Sequence, residues 1–303
     1  MPVPLADGQT TLDLGTVQVT RPQETAPSTN SGQAVLDPQY TLAQTWNGVT
    51  LFGASLDREA AAPGDPFLLT LYWQVDEAPT NDALVRLALV DEMGTAVFSQ
   101  TLPPVRADFP TSQWQDGDRW VGQHAFRLPV ALESGDYLWT LEWCVEEACE
   151  EEMVALGNLT VNAPERIFAP PPLDIETNTQ FDGITTLLGV NGIHPSSLIL
   201  HPSLTLVWQA NTETTTSYRV FVHLVDENGQ IVAQSDGEPA GWTRPTTGWL
   251  PGEIVLDEHT LSLENVEPGS YQLTFGLYDP ETGVRLETSA GETAVIIPEL
   301  TLP

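Results

Sequence analysis

Residues Leu204–Gln234, LTLVWQANTETTTSYRVFVHLVDENGQIVAQ, decide the fold. Leu204, Leu206 and Trp208 alternate with Thr205, Val207 and Gln209, the period-two pattern of a half-buried strand. Tyr218–Val225 reads as a second strand and Ile231–Gln234 as a third. Asp226-Glu227-Asn228-Gly229 between them is hairpin chemistry, because Gly takes positive φ without steric cost.

The same passage occurs earlier in the chain. Leu69, Leu71, Trp73 and Gln74 match Leu204, Leu206, Trp208 and Gln209 at a spacing of 135 residues. Val90-Asp91-Glu92-Met93-Gly94 matches Val225-Asp226-Glu227-Asn228-Gly229 at that same spacing. Gly135-Asp136-Tyr137 likewise matches Gly269-Ser270-Tyr271, and His124 matches His259. The chain is a tandem duplication.

Working outward gives four segments. Residues 1–35 hold a strand-like piece, Leu14–Thr20, followed by a Pro/Ser/Thr-rich linker. Leu14–Thr20 resembles Leu156–Val161, which closes the first repeat, so it reads as the end of a preceding repeat laid along a sheet edge. The first repeat spans 36–162 and the second 173–303. The linker between them, 163–172, carries four prolines and is expected to be semi-rigid. No segment has helical periodicity, and 25 Pro and 23 Gly punctuate the chain about every 8–12 residues. The expected class is all-β: two tandem immunoglobulin-like antiparallel β-sandwiches. Trp73 and Trp208 sit mid-strand where such sandwiches bury a Trp. Tyr137 and Tyr271 stand where such sandwiches place a tyrosine corner.

Composition narrows the partners. Forty-two acidic residues against ten basic ones, all Arg, give a net charge of −32. That field repels phosphate backbones and anionic headgroups, so nucleic acid is an unfavourable partner. No run of 18 apolar residues is present, so no direct membrane insertion of this segment is expected. The cysteines, Cys144 and Cys149, align with residues that bracket the turn Asp279-Pro280-Glu281-Thr282. A disulfide across the mouth of that hairpin is expected, contributing about 2 kcal/mol and implying an oxidising compartment; free thiols are the alternative.

Catalytic patterns are missing: there is no G-x-S-x-G, H-E-x-x-H, phosphate loop or G-x-G-x-x-G. No metal site and no cofactor is expected. Glu146, Glu147, Glu150, Glu151 and Glu152 read as a solvated loop tip rather than a Ca²⁺ site, since no ligand spacing supports one. His124 and His259 read as hydrogen-bonded residues at the rim of a core face. The informative segment is irregular and repeated. Pro110-Thr111-x-x-Trp114 and Pro245-Thr246-x-x-Trp249 share P-T-x-x-W-x-x-G, with Trp120 and Trp242 nearby. Loop aromatics beside polar groups hold sugar rings by stacking and hydrogen bonding. A structural role, with each Trp plugging the end of its own sandwich, competes with that reading. The candidate glycan contacts are Trp242, Arg244, Trp249, Trp114 and Trp120. Trp242 leads, because Ala107 stands at the matching place in the first repeat.

The motifs L-x-W-Q, V-F-V-H-L-V-D-E-N-G, P-T-x-x-W-x-P-G-E and P-G-S-Y-x-L-x-F-G-L-Y-D-P-E-T-G resemble soluble β-sandwich repeats appended to bacterial dolichyl-phosphate-mannose-type membrane glycosyltransferases and related envelope proteins. The second repeat carries them almost throughout. The first departs from them: Arg86 replaces Phe, Ala88 replaces His, and the cysteine loop replaces Y-D-P-E-T-G. The resemblance implies an extracytoplasmic, non-catalytic accessory module within a longer membrane-anchored chain, and it transfers no active site. The expected function is a spacer or interaction surface with glycan contact, its partner a cell-surface glycan or envelope protein. The alternative is a secreted carbohydrate-active hydrolase using loop carboxylates.

Overall fold

The computed structural model describes residues 36–146, 148–150, 152–193 and 202–302. The expected strand Leu14–Thr20, together with Glu147, Glu151, His194 and His201, lies outside the described residues. The chain is all-β. In the first repeat β1 (Tyr40–Trp46), β2 (Val49–Leu56), β4 (Pro66–Val75) and β7 (Arg119–Arg127) form one sheet in that order. The facing sheet runs β3 (Ala60–Ala61), β10 (Val154–Val161), β8 (Gly135–Val145), β5 (Ala83–Val90), β6 (Ala96–Leu102), with β9 (Ala148–Cys149) paired to β8.

The second repeat copies this plan. β11 (Ile175–Phe181), β12 (Thr185–Asn191), β13 (Ser203–Ala210) and β16 (Ile254–Thr260) form one sheet. β15 (Ile231–Gly237), β14 (Arg219–Val225), β17 (Gly269–Tyr278) and β18 (Val295–Leu302) form the other. Alternation explains the burial. Phe67, Leu69, Leu71 and Trp73 face one core; Leu204, Leu206 and Trp208 face a second, separate one. Both tryptophans are fully buried. Each repeat also ties a late-strand tyrosine back to the turn before it. Tyr137 Oη donates to the Glu133 carbonyl at 3.1 Å and Tyr271 Oη to the Glu267 carbonyl at 2.6 Å.

The hairpin turns follow their sequences. Asn47 and Gly48 both have positive φ, 43° and 82°, as a two-residue turn requires. Asp91 Oδ1 accepts the Met93 and Thr95 amides, and Asp226 Oδ1 accepts the Asn228 and Gln230 amides, so one Asp rigidifies each equivalent turn. The Gln230 amide is the main reason the Asp226 carboxyl lies below the usual range. The expected disulfide is present, joining Cys144 to the directly paired Cys149.

Two elements differ from expectation. The linker is pinned rather than merely stiff. The Arg166 guanidinium donates to the Val130 carbonyl of the first repeat at 2.7 Å and pairs with Glu253 of the second, and Ile167 bridges Ile254. The segment after β17 is also more than a turn. It folds back so that Leu286 enters the core, Thr288 bridges Phe181, and the Arg285 guanidinium lies 4.0 Å from the Phe221 ring centre. That cover buries Phe221 and His223, which alternation places on the face away from the core.

Candidate functional site

The site is the connection from β15 to β16. After Pro239 the backbone turns left-handed: Ala240 has φ/ψ 52°/47°, Gly241 61°/44°, and Trp242 φ 70°. Only Gly takes this conformation without cost; for other L-residues it costs about 1–2 kcal/mol each. Ala240 and Trp242 are held there by neighbours. Asp257 Oδ1 accepts the Ala240 amide at 2.7 Å, Thr243 Oγ1 donates to the Ala240 carbonyl at 2.7 Å, and the Arg244 amide donates to the Pro239 carbonyl at 3.1 Å. The result turns Trp242 outward, 56% exposed. Its indole edge crosses Gly237, where a Cβ would lie 3.0 Å from Nε1 and would have to push the indole aside. The Arg219 guanidinium stands 5.0 Å from the ring centre, in cation–π range.

Two buried carboxylates hold this loop. Asp257 accepts from Trp208 Nε1 at 3.3 Å and His259 Nε2 at 2.9 Å, besides Ala240. Since a carboxylate only accepts, Nε2 carries a proton, and in the neutral ring Nδ1 accepts the Ser235 hydroxyl at 3.0 Å. Glu253, also fully buried, pairs with both Arg166 and Arg244 and accepts the Leu250 amide at 2.9 Å. Trp249 Nε1 donates to the Arg244 carbonyl at 2.9 Å. A buried ion with two partners meets its desolvation cost; stripped of one, it does not.

The residues expected at a glycan site are thereby sorted. Trp242 alone presents an open face. Arg244 shares its loop, but its guanidinium is engaged by Glu253. Trp249 and Trp114 lie in the two cores. Trp120 is half-buried, edge-on to Phe109 at 4.8 Å and near Trp114 at 6.5 Å. Those three tryptophans pack into the ends of their own sandwiches, the structural role weighed against sugar contact. His124 and His223 are buried, and that burial pushes both imidazoles below their ordinary value. Their partners are the Pro104 carbonyl at 3.2 Å and the Asp236 carboxylate at 3.1 Å. Among the described residues no cluster of three His, Cys, Asp or Glu is placed to hold a metal ion, and no helix is long and apolar enough to cross a membrane.

Sequence reasoning passed over Arg219, Glu253 and Asp257. Glu253 closes the quoted motif P-T-x-x-W-x-P-G-E, which is its signal. Asp257 sits two residues before His259, with Gly122 at the matching place, and no pattern advertises it.

Neither a family model nor a curated protein sequence matches the chain. Solved structures match parts of it. The C-terminal domain of Wzt matches 43% of this chain and 84% of its own length, at 14% identity and TM-score 0.31. A CARDB domain from Pyrococcus furiosus, solved in complex with two metal ions, matches 40% of this chain and all of its own, at 12% identity and TM-score 0.25. A Pseudomonas fluorescens alkylpurine DNA glycosylase bound to DNA matches 38% of this chain and 31% of its own length, at 9% identity and TM-score 0.24. At these values nothing about ligand or activity passes to this chain; the sandwich class rests on the strands themselves.

Proposed function

We propose that the chain is a non-catalytic, extracytoplasmic module of a bacterial envelope protein: two immunoglobulin-like sandwiches that act as spacer and interaction surface, with Trp242 as the glycan contact. One observation carries this reading. Two non-glycine residues are held left-handed, at a cost, to keep one large aromatic side chain facing solvent. Strain kept at a surface is a mark of use, since a fold without a task there would relax it. The open indole face suits a pyranose ring. The motif resemblance to glycosyltransferase-appended repeats supports the envelope setting, and the Cys144–Cys149 bridge fits an oxidising compartment. Glycan-array binding of the full chain tests it. Binding that Trp242→Ala abolishes, while the melting temperature holds, is the expected outcome; binding unchanged in that variant places the contact elsewhere.

A second reading, a hydrolase, draws on one arrangement: Ser235, His259 and Asp257 are linked in the order of an acyl-transfer relay. Against it, Ser235 lies opposite core-facing Val222, and Asp257 shares its oxygens with Trp208 and Ala240. The relay reads as the support of the turn. Covalent labelling of Ser235 by a fluorophosphonate would restore the hydrolase.

A further inference from the structure

We propose that Arg219 and Arg285 form an anion subsite beside Trp242, so that the sugar this module takes carries a carboxylate; the inference rests on the glycan reading above. In a chain with 42 acidic residues and ten arginines, five of the nine described guanidiniums sit on a carboxylate, while Arg119 donates to the Gln74 side chain and Arg127 to the Gly64 and Thr215 carbonyls. Arg58 sits on Asp57, Arg86 on Glu142, Arg106 on Asp108, and Arg166 and Arg244 on Glu253. Arg219 and Arg285 contact only aromatic rings, Trp242 at 5.0 Å and Phe221 at 4.0 Å, among the described residues.

Strand register brings them together. Arg219 is paired directly with Tyr278, and Tyr278 is bridged to Arg285. Directly paired residues of antiparallel strands project to the same face, so both side chains start from one face. Phe221, two residues beyond Arg219, shares it. The acid on the neighbouring strand, Asp236, is held by His223 at 3.1 Å. Arg219 is half-buried, and its Nε is covered with no acceptor. A buried charged donor without a partner is an uncompensated cost, and it coincides with the strained turn of Trp242. The unmatched donor and the outward turn meet at one spot, where a ring stacked on Trp242 brings its carboxylate to Arg219.

The first repeat shows that the fold does not require this. Leu84 stands for Arg219, Cys144 for Tyr278, and Arg86, paired with Glu142, stands for Phe221. A carboxylate is the matching anion because the planar guanidinium fork takes it bidentately. The net charge of −32 repels densely charged polymers, which favours a glycan with sparse acidic sugars.

Isothermal titration of the full chain tests this with a tetrasaccharide carrying one glucuronate and with the same tetrasaccharide after reduction of that carboxylate to the alcohol. The acidic form is expected to bind at least about tenfold tighter, a typical gain for a charge-assisted bidentate contact. Arg219→Gln, and separately the exposed Arg285→Gln, should remove that preference; Arg86→Gln in the first repeat should keep it. Because Arg285 is exposed, its variant remains informative should Arg219→Gln fail to fold. Equal affinity for the two forms overturns the anion subsite and leaves the glycan reading standing. Binding of neither form ends both.

Discussion

The two sandwiches share a plan and satisfy its polar groups in opposite ways. At the central tryptophan of the first, Trp73 Nε1 and His124 Nε2 both meet the backbone carbonyl of Pro104, each at 3.2 Å. At the matching place in the second, Trp208 and His259 meet the carboxylate of Asp257. Gly122 explains the exchange: a Cβ there would lie 2.0 Å from the Pro104 oxygen. With no side chain at 122 the Pro104 carbonyl of the loop after β6 drops in; with Asp257 in that place the loop is held off, and its Ala240 amide meets the carboxylate instead. The contrast extends to the cores. In the first repeat Trp46, Trp114, Trp120, Trp139 and Trp143 keep buried indole N–H groups without a partner among the described residues. Those rings pack on one another, as Trp46 does on Trp143 at 5.3 Å. In the second, Trp208 and Trp249 both donate. One copy is held by aromatic packing, the other by a polar network, and the network shapes the exposed loop. The two copies keep one plan with different interior chemistry.

The largest expected effect tests what the copies share. Trp73→Ala and Trp208→Ala should each cost about 3–5 kcal/mol in chemical denaturation, the penalty of a large cavity in a packed core. A cost under about 1 kcal/mol at either would show that strand to be misassigned. Asp257→Ala comes next. It strands the donors of Trp208, His259 and Ala240, each such loss costing about 1–3 kcal/mol. Besides lowering stability, it should release the left-handed turn, seen as faster hydrogen exchange at Ala240 and a changed Trp242 emission. Unchanged exchange there would mean that the carboxylate does not set the turn.

The disulfide belongs to the first repeat alone. Its selective reduction should cost about 2 kcal/mol, and differential scanning calorimetry should show any loss in the transition of that repeat only. A matching loss in the second would mean that the two do not melt independently. The smallest effect has opposite signs in the two copies. Ala240→Gly relieves a left-handed residue and should stabilise by up to about 1 kcal/mol. Val105→Gly, at the matching place with no positive φ, should destabilise by about 1–2 kcal/mol, through backbone entropy and the loss of its packing against the first core. Equal signs would remove the argument that strain is particular to the second loop.

Much of this was legible in the residues. Alternation around Trp73 and Trp208, the Asp-x-x-Gly turns and the cysteine spacing specify strands, hairpins and the bridge, because each is a local preference. The first strands of the two repeats were not recognised. Tyr40–Trp46 and Ile175–Phe181 are half-buried edge strands, and sequences such as IETNTQF carry too little apolar contrast to show a period. The prominence of Trp242 was legible from its missing counterpart. Its presentation was not, because Pro-Ala-Gly-Trp holds one glycine and does not announce three left-handed residues. The exchange of Pro104 for Asp257 was beyond reach as well, since a backbone carbonyl leaves no mark in a sequence. Arg219 emerges only once strand register sets it beside Trp242 and Tyr278.

Arg166 gives the linker a mechanical meaning. A free Pro-poor chain of ten residues would let its ends wander over a root-mean-square distance of roughly 18 Å, and whatever the two sandwiches carried would meet at a concentration averaged over that cloud. With the guanidinium bonded to Val130 on one side and paired with Glu253 on the other, the linker is a splint rather than a tether. Sites on the two sandwiches are then presented at one separation. A second attachment is favoured when its target matches that span and lost when it does not. Avidity in such an assembly is decided by geometry, and Glu253, together with the Arg127 bond to the Thr215 carbonyl across the repeats, is where that geometry is fastened.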